Sequence, residues 1–243
     1  MKKPKVSIII LAFDNPNALE KTLKTLCSNT TYPNFEIIVA CNPCDDVAVN
    51  VEINDLLVRM KKSCDFKVIL NETNLLHGRG CMEGFKISDG EFICFCNDDI
   101  FIPASQSAWL TFMMAFMVEN ENTATLTPSM YSAKERIYWI GKTDPTKPYH
   151  DFLHTPKGDP NLPIEPRETC YNNMALCLTK RYLVEEFPLG QSCPHYGSDS
   201  EFGNRIKEKY PNMKHMVIPE VRIYHFNIFA TRTNYGKNKE IEG

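Results

Sequence analysis

The sequence predicts an α/β fold, a single domain whose mostly parallel central sheet is flanked by helices. Its 243 residues are enough to bury a substantial core. Several short, branched, nearly continuous apolar runs have the pattern of strands covered on both faces. Stretches of helical periodicity separate these runs, which favours parallel strands joined by right-handed crossovers.

Residues 5–12 (KVSIIILA) form the first such run. Asp14, Asn15, Pro16 and Asn17 supply caps and a proline suited to a first helical turn, and Leu19, Leu23, Leu26 and Cys27 follow at helical spacing. After a turn at 31–34 come a second run at 35–40, a polar helix at 49–62 and a third strand at 66–70. Ser88, Asp89 and Gly90 end another helix, and residues 91–96 make a fourth strand. Ligands of parallel sheets bind beyond the carboxyl ends of the strands. Polar turns fall there at Phe13-Asp14-Asn15, at 42–46 and at Asn97-Asp98-Asp99.

Residues 108–118 are apolar, are broken by Thr111 and are too short to span a bilayer, so they read as a buried helix. Residues 141–169 hold six of the 16 prolines and read as a long loop over the sheet edge. Order resumes at 173–178, followed by helices at 180–187 and 199–209 and a last strand at 216–224, ending at His225. No internal repeat is present.

A formal net charge of −3 gives no sign of a nucleic acid partner. Arg222, Arg232, Lys237 and Lys239 gather near the end, suiting either a phosphate-bearing ligand or a solvated tail. Residues 6–13 lead into a polar turn without a cleavage pattern, so no signal peptide and no transmembrane segment is expected. The expected location is cytoplasmic, with room for peripheral contact with a membrane. The ten cysteines sit largely inside apolar patterns. Cys41 and Cys44 have the spacing of half a zinc site without a second pair. They are expected to be mostly free thiols in a reducing compartment.

Four groups of residues bear on chemistry, each with two readings. Asn97-Asp98-Asp99 is either a helix cap or part of a site for Mg²⁺ or Mn²⁺, whose other ligands would be phosphate and water. Asp199 with Glu201 either complements a helix dipole or supplies a general base. His225 is either structural or a ligand for Mn²⁺. Tyr138 and Trp139 are either core or a sugar-stacking face.

Taken together, these segments resemble glycosyltransferase family 2, inverting nucleotide-sugar glycosyltransferases with the Rossmann-like GT-A fold. VSIIILAFDN is similar to that family's first strand and nucleotide-contacting turn, and ACNPCDD to its second. NLLHGRGCMEGFKISDGEFICFCNDD resembles the stretch leading to its Asp-x-Asp motif, and YGSDSEFGNRI the segment carrying its base. The Asn42 turn and the spacing of Gly80 and Gly84 after Asn74 resemble the rhamnosyltransferase-like branch.

The resemblance implies a nucleotide-diphosphate sugar donor (UDP, dTDP or GDP), a glycan or lipid-linked acceptor, and hexosyl or deoxyhexosyl transfer. Residues 1–243 would be one domain, with 1–100 binding the nucleotide sugar and 101–243 the acceptor. Asp99 and His225 would hold the metal, Asp199 would be the catalytic base, and Ala12, Phe13, Asp14, Asn42, Asn74, Arg79, Asn97 and Asp98 would line the donor site. Asn97 stands where the family's first Asp sits, Ser198 replaces a Glu and Glu201 an Asp, so weaker metal binding is expected. Two other readings remain: a silent nucleotide- or sugar-binding protein, and a sugar nucleotidyltransferase. The acidic Phe13-Asp14-Asn15-Pro16 turn lacks the glycine-rich basic loop of the latter.

Overall fold

The apolar run at the start becomes β1 (Val6–Ala12), buried along its whole length, in a computed structural model that describes residues 3–147, 150–194 and 197–226. The first half continues with α1 (Pro16–Ser28), β2 (Phe35–Cys41), α2 (Val47–Met60), β3 (Lys67–Leu70), α3 (Leu76–Lys86) and β4 (Phe92–Asn97). The cap expected in the 14–17 turn is present, and α2 has one at Asp46 that is not among those expected. Asn15 accepts from the Ala18 N–H at 3.0 Å with Pro16 opening α1, and Asp46 accepts from the Ala48 N–H at 2.9 Å to start α2. β1 lies between β2 and β4, parallel to both, and β3 adds in parallel outside β2.

The second half runs β5 (Ile100–Phe101), α4 (Trp109–Glu119), β6 (Thr123–Tyr131), β7 (Ile137–Trp139), β8 (Arg167–Thr169), β9 (Leu176–Lys180), α5 (Arg181–Glu186), α6 (Ser198–Lys209) and β10 (Lys214–His225). The sheet order is β3-β2-β1-β4-β9-β6-β10-β5. Here the parallel pattern gives way to a mixed one. β9 runs antiparallel to both β4 and β6, and β5 antiparallel to β10, while β6 and β10 are parallel. An apolar run such as LCLTK records burial but not direction, which is why this reversal is invisible in composition.

Helices cover both faces. Alternate residues of β1 divide between them: Ile8 and Ile10 pack with Leu19, Leu23, Ile53, Leu110 and Met113 of α1, α2 and α4. Ile9 and Leu11 pack with Cys81, Leu183, Phe202 and Ile206 of α3, α5 and α6. α4 is buried on one side only, with Phe112 and Val118 exposed at 59% and 54%. The segment 141–169 folds over β6 and β10, tied down by β8 against β10 and by the Arg167–Asp151 ion pair at 2.7 Å.

Cys27 and Cys64 are joined as a disulfide between the end of α1 and the turn after α2, an exception to the expected free thiols. The other eight cysteines are free. Of the basic residues near the end, Arg222 is exposed on β10, and Arg232, Lys237 and Lys239 lie outside the described residues. Among the described residues no helix is long and apolar enough to cross a membrane.

α3 lies directly on the sheet because its glycines let it. A Cβ at Gly80 would meet Leu11 Cδ1 at 2.6 Å, and one at Gly84 would meet Ile9 Cγ2 at 2.5 Å. Their spacing is thus accounted for by packing. Gly84→Val is expected to cost about 1–3 kcal/mol through overpacking, read as a lower denaturant midpoint with unchanged slope.

Candidate active site at the carboxyl ends of the strands

β4 ends on Asn97, and the chain turns through Asp98 and Asp99 into β5. Asp98 is fastened to the turn after β1: its Oδ2 accepts from the Phe13 N–H at 3.1 Å and its carbonyl from Thr22 Oγ1 of α1 at 2.7 Å. Burial, and next the charge of Asp99, push the Asp98 carboxyl well above its ordinary range, with the Phe13 N–H pulling the other way. Nearby Asp14 is half-buried, and burial raises its carboxyl as well.

β10 delivers the opposite wall. His225 pairs with Ile100 in register, so its Nε2 lies 3.0 Å from Asp99 Oδ1, with the two side chains only 6% and 12% exposed. The Phe226 N–H donates to the Asp99 carbonyl at 2.9 Å. Tyr138 stacks on the imidazole, ring centroids 4.4 Å apart and planes 8° from parallel. Trp139, by contrast, is core: its Nε1 donates to Thr127 Oγ1 at 3.2 Å and it is buried.

The donor atoms at this point suit a divalent cation. Asn97 Nδ2 lies 3.3 Å from His225 Nε2, and the single lone pair of that nitrogen can serve either the carboxamide N–H or a cation, not both. Asp99 Oδ1 is a buried oxygen without a hydrogen-bond donor. Among the described residues no three His, Cys, Asp or Glu side chains gather to hold a metal. A metal here would take Asp99 and His225 and complete its shell from phosphate and water, as Mg²⁺ usually does.

Asp199 sits in the first turn of α6, after Gly197 at φ 85°, and its Oδ1 accepts from the Ser200 N–H at 2.8 Å. Burial raises its carboxyl, opposed by the Ser200 N–H and by nearby His77. Glu201 is turned elsewhere, accepting from the Ser192 and Cys193 N–H groups at 2.9 and 3.0 Å. It thereby holds the segment 190–194 beside α3, where Gly78 N–H donates to Pro194 O at 2.8 Å.

The remaining expected donor-site residues support loops. Asn42, 3% exposed, accepts from Asn71 Nδ2 at 2.8 Å and donates to Leu76 O at 3.2 Å. Asn74 is exposed and accepts from the Leu76 N–H at 2.9 Å, and Leu76 has a φ of 62°. Arg79 Nε donates to Gly190 O at 3.2 Å while the residue remains exposed. Ala12 is buried, and its carbonyl accepts from the Asn42 N–H at 2.9 Å. A cavity of about 210 Å³ opens beside Asn42, lined also by Cys41, Asn50, Ile53 and Asn71. Another of about 380 Å³ opens beside Asp99, lined by Asn15, Asn17, Lys21, Ala133 and Phe226.

His77, on the first turn of α3, is absent from the expected site residues. Its Nδ1 is 3.3 Å from Ser198 Oγ and its Nε2 3.3 Å from Asn97 Oδ1, so it bridges the acidic turn and the start of α6. In sequence it is one histidine in an apolar, glycine-rich segment. Its partners lie 20 and 121 residues away.

A doubly covered sheet with an acidic, cation-suited turn at its carboxyl edge is the build of a GT-A nucleotide-sugar fold. The model of the family described as glycosyl transferase family 2 matches residues 7–181, and the chain belongs to that family. Asp199 and His225 lie beyond the matched stretch.

Among solved structures, S. aureus TarS 1-349 in complex with UDP is 16% identical with a TM-score of 0.63 over 91% of this chain and 60% of that one. The same TarS fragment in complex with UDP-GlcNAc is 18% identical, TM-score 0.59, over 91% and 58%. For the longer S. aureus TarS structure the values are 18%, 0.63, 91% and 36%. The chain thus spans about 36–60% of the length of these TarS chains. Identity at this level establishes the fold. A search of curated protein sequences finds no match.

Asp199 gives a pH signature. Its folded value lies above the ordinary 3.8, so the folded chain binds this proton more tightly than the unfolded one. The contribution to stability is therefore greatest at low pH and is lost as pH rises through the interval between the two values. Asp199→Asn is expected to melt higher than the parent at pH 7, with the difference vanishing below pH 3.8; melting curves across a pH series check this.

Proposed function

We propose that the chain is an inverting glycosyltransferase that moves a hexosyl or deoxyhexosyl group from a UDP-sugar to a hydroxyl of a glycan or lipid-linked acceptor. The observation that carries this reading is the convergence of Asp98, Asp99, His225 and, through His77, the Asp199 turn at one edge of the sheet. The UDP and UDP-GlcNAc complexes of TarS support a uridine nucleotide over dTDP or GDP. The cavity beside Asn42 would receive the base, and the first half of the chain would hold the donor. Residues 101–243 would face the acceptor, where the Phe101, Tyr224 and Phe226 rings cluster and suit sugar faces.

In this reading Asp98, pinned by Phe13 and Thr22, sets the shape of the donor turn. Asp99 and His225 would hold Mn²⁺ or Mg²⁺, which would supply electrostatic stabilisation of the leaving diphosphate. Asp199, raised by burial toward the range where a carboxylate is a better base, takes the proton of the acceptor hydroxyl. The hydroxyl oxygen bonds to the anomeric carbon as the bond from that carbon to the phosphate oxygen breaks, and the electron pair leaves with UDP. A single displacement inverts the anomeric centre.

Release of UDP from a panel of UDP-sugars, with Mn²⁺ and glycan acceptors, tests the reading. Asp199→Asn is expected to lower turnover by about 10²–10⁴-fold while UDP binding persists, and chelation of divalent ions is expected to abolish turnover reversibly. Full activity in Asp199→Asn, or binding of UDP-sugars without any turnover, overturns it.

A further inference from the structure

The cavity of about 380 Å³ on the α1 side of Asp99 is lined by Asn15, Asn17 and Lys21, and by Ala133 and Phe226. Its walls are held in place. Thr22 Oγ1 donates to the Asp98 carbonyl at 2.7 Å, which ties α1 to the acidic turn. The Phe226 N–H donates to the Asp99 carbonyl at 2.9 Å, and the Phe226 ring lies 5.2 Å from that of Phe101. Asn15 Oδ1 is taken by the Ala18 N–H at 3.0 Å, so the Asn15 carboxamide nitrogen keeps its two N–H donors.

Lys21 is the charged donor of this wall. Its neighbour Glu20 pairs with Lys24 at 2.7 Å, and among the described residues Lys21 forms no ion pair. The first turn of α1 carries no acidic residue. An ammonium beside carboxamide donors suits an anion with several acceptor oxygens. The two faces of the sheet say where that anion sits in the reaction. α1 and α2 pack on one face, and α3 and α6 on the other. The cavity beside Asn42 is walled by Asn50 and Ile53 of α2, so it shares its face with Lys21. Asp199 opens α6 on the opposite face. In a single displacement the base and the leaving group lie on opposite sides of the anomeric carbon, which puts Lys21 on the leaving side.

Resting on the proposed transfer from a UDP-sugar, we propose that Lys21 is a catalytic residue: its ammonium, with the Asn15 carboxamide, binds the leaving diphosphate in this cavity. A nucleotide with its base beside Asn42 then runs along the α1–α2 face, past the Phe13 turn, to Lys21. As the bond from the anomeric carbon to the phosphate oxygen breaks, its electron pair stays on that oxygen, and the fixed positive charge stabilises it. The ammonium donates hydrogen bonds and transfers no proton. With Asp99 the one carboxylate assigned to a cation, Lys21 adds positive charge that needs no metal.

Calorimetric titration with UDP and with uridine, each with and without Mn²⁺, reads the contact without any turnover. Lys21→Met is expected to weaken UDP binding about tenfold, the scale of one charge-assisted hydrogen bond, and to leave uridine within about twofold. Lys21→Arg keeps the charge and is expected to lose less. The salt dependence of UDP affinity should flatten in Lys21→Met. Lys24→Met, which removes only the partner of Glu20, is expected to match the parent. Lys21 is exposed on α1, so these variants are expected to fold, and melting curves check that they do. Unchanged UDP affinity in Lys21→Met, or equal losses for UDP and uridine, overturns the inference and leaves the donor reading in place. A parent that binds neither UDP nor uridine overturns the donor reading, and the inference with it.

Discussion

Two adjacent carboxylates at the end of a buried strand repel one another, and the architecture around the site is organised by how that repulsion is contained. Asp98 is drawn toward β1 and α1 by the Phe13 N–H and by Thr22, and Asp99 is held against the end of β10 by the Phe226 N–H, which donates to its carbonyl. The pair is thus split across two sides of one turn. Burying such charges without partners is costly, and the raised Asp98 carboxyl and the Asp99 oxygen without a donor record that cost.

The scaffold makes that placement by close approach. Gly80 and Gly84 let α3 settle onto β1, which carries His77 to the end of β4. Gly78 meets Gly190 almost backbone to backbone, and Glu201 holds the same segment against α6. The start of α6 is therefore located by contacts with α3 and with the 190–194 segment rather than by its own helix propensity. The same glycines and the Asn42 carboxamide serve packing and loop support.

Much of the first half was legible because its signals are local. Branched apolar runs, an Asn15-Pro16 cap and polar turns at strand ends are written in consecutive residues, and they located β1 to β4 and the Asp98-Asp99 turn. The direction of β9 was not legible, since a buried strand has the same composition either way. Nor was the Cys27–Cys64 pairing, which depends on two helices meeting. His77 was missed for a related reason: its meaning lies in Asn97 and Ser198, and only the fold brings them together. Glu201 stands beside Asp199 in sequence, but two residues of helix turn their side chains about 200° apart, and Glu201 holds a loop instead.

The account turns on a cation held between Asp99 and His225. Crystals soaked with UDP and Mn²⁺, and measured at the manganese absorption edge, test it most directly. The account predicts an anomalous peak about 2.1 Å from both Asp99 Oδ1 and His225 Nε2, with the diphosphate completing the shell. UDP bound with Asp99 and His225 still in direct contact and no peak between them, or manganese held elsewhere, would contradict it.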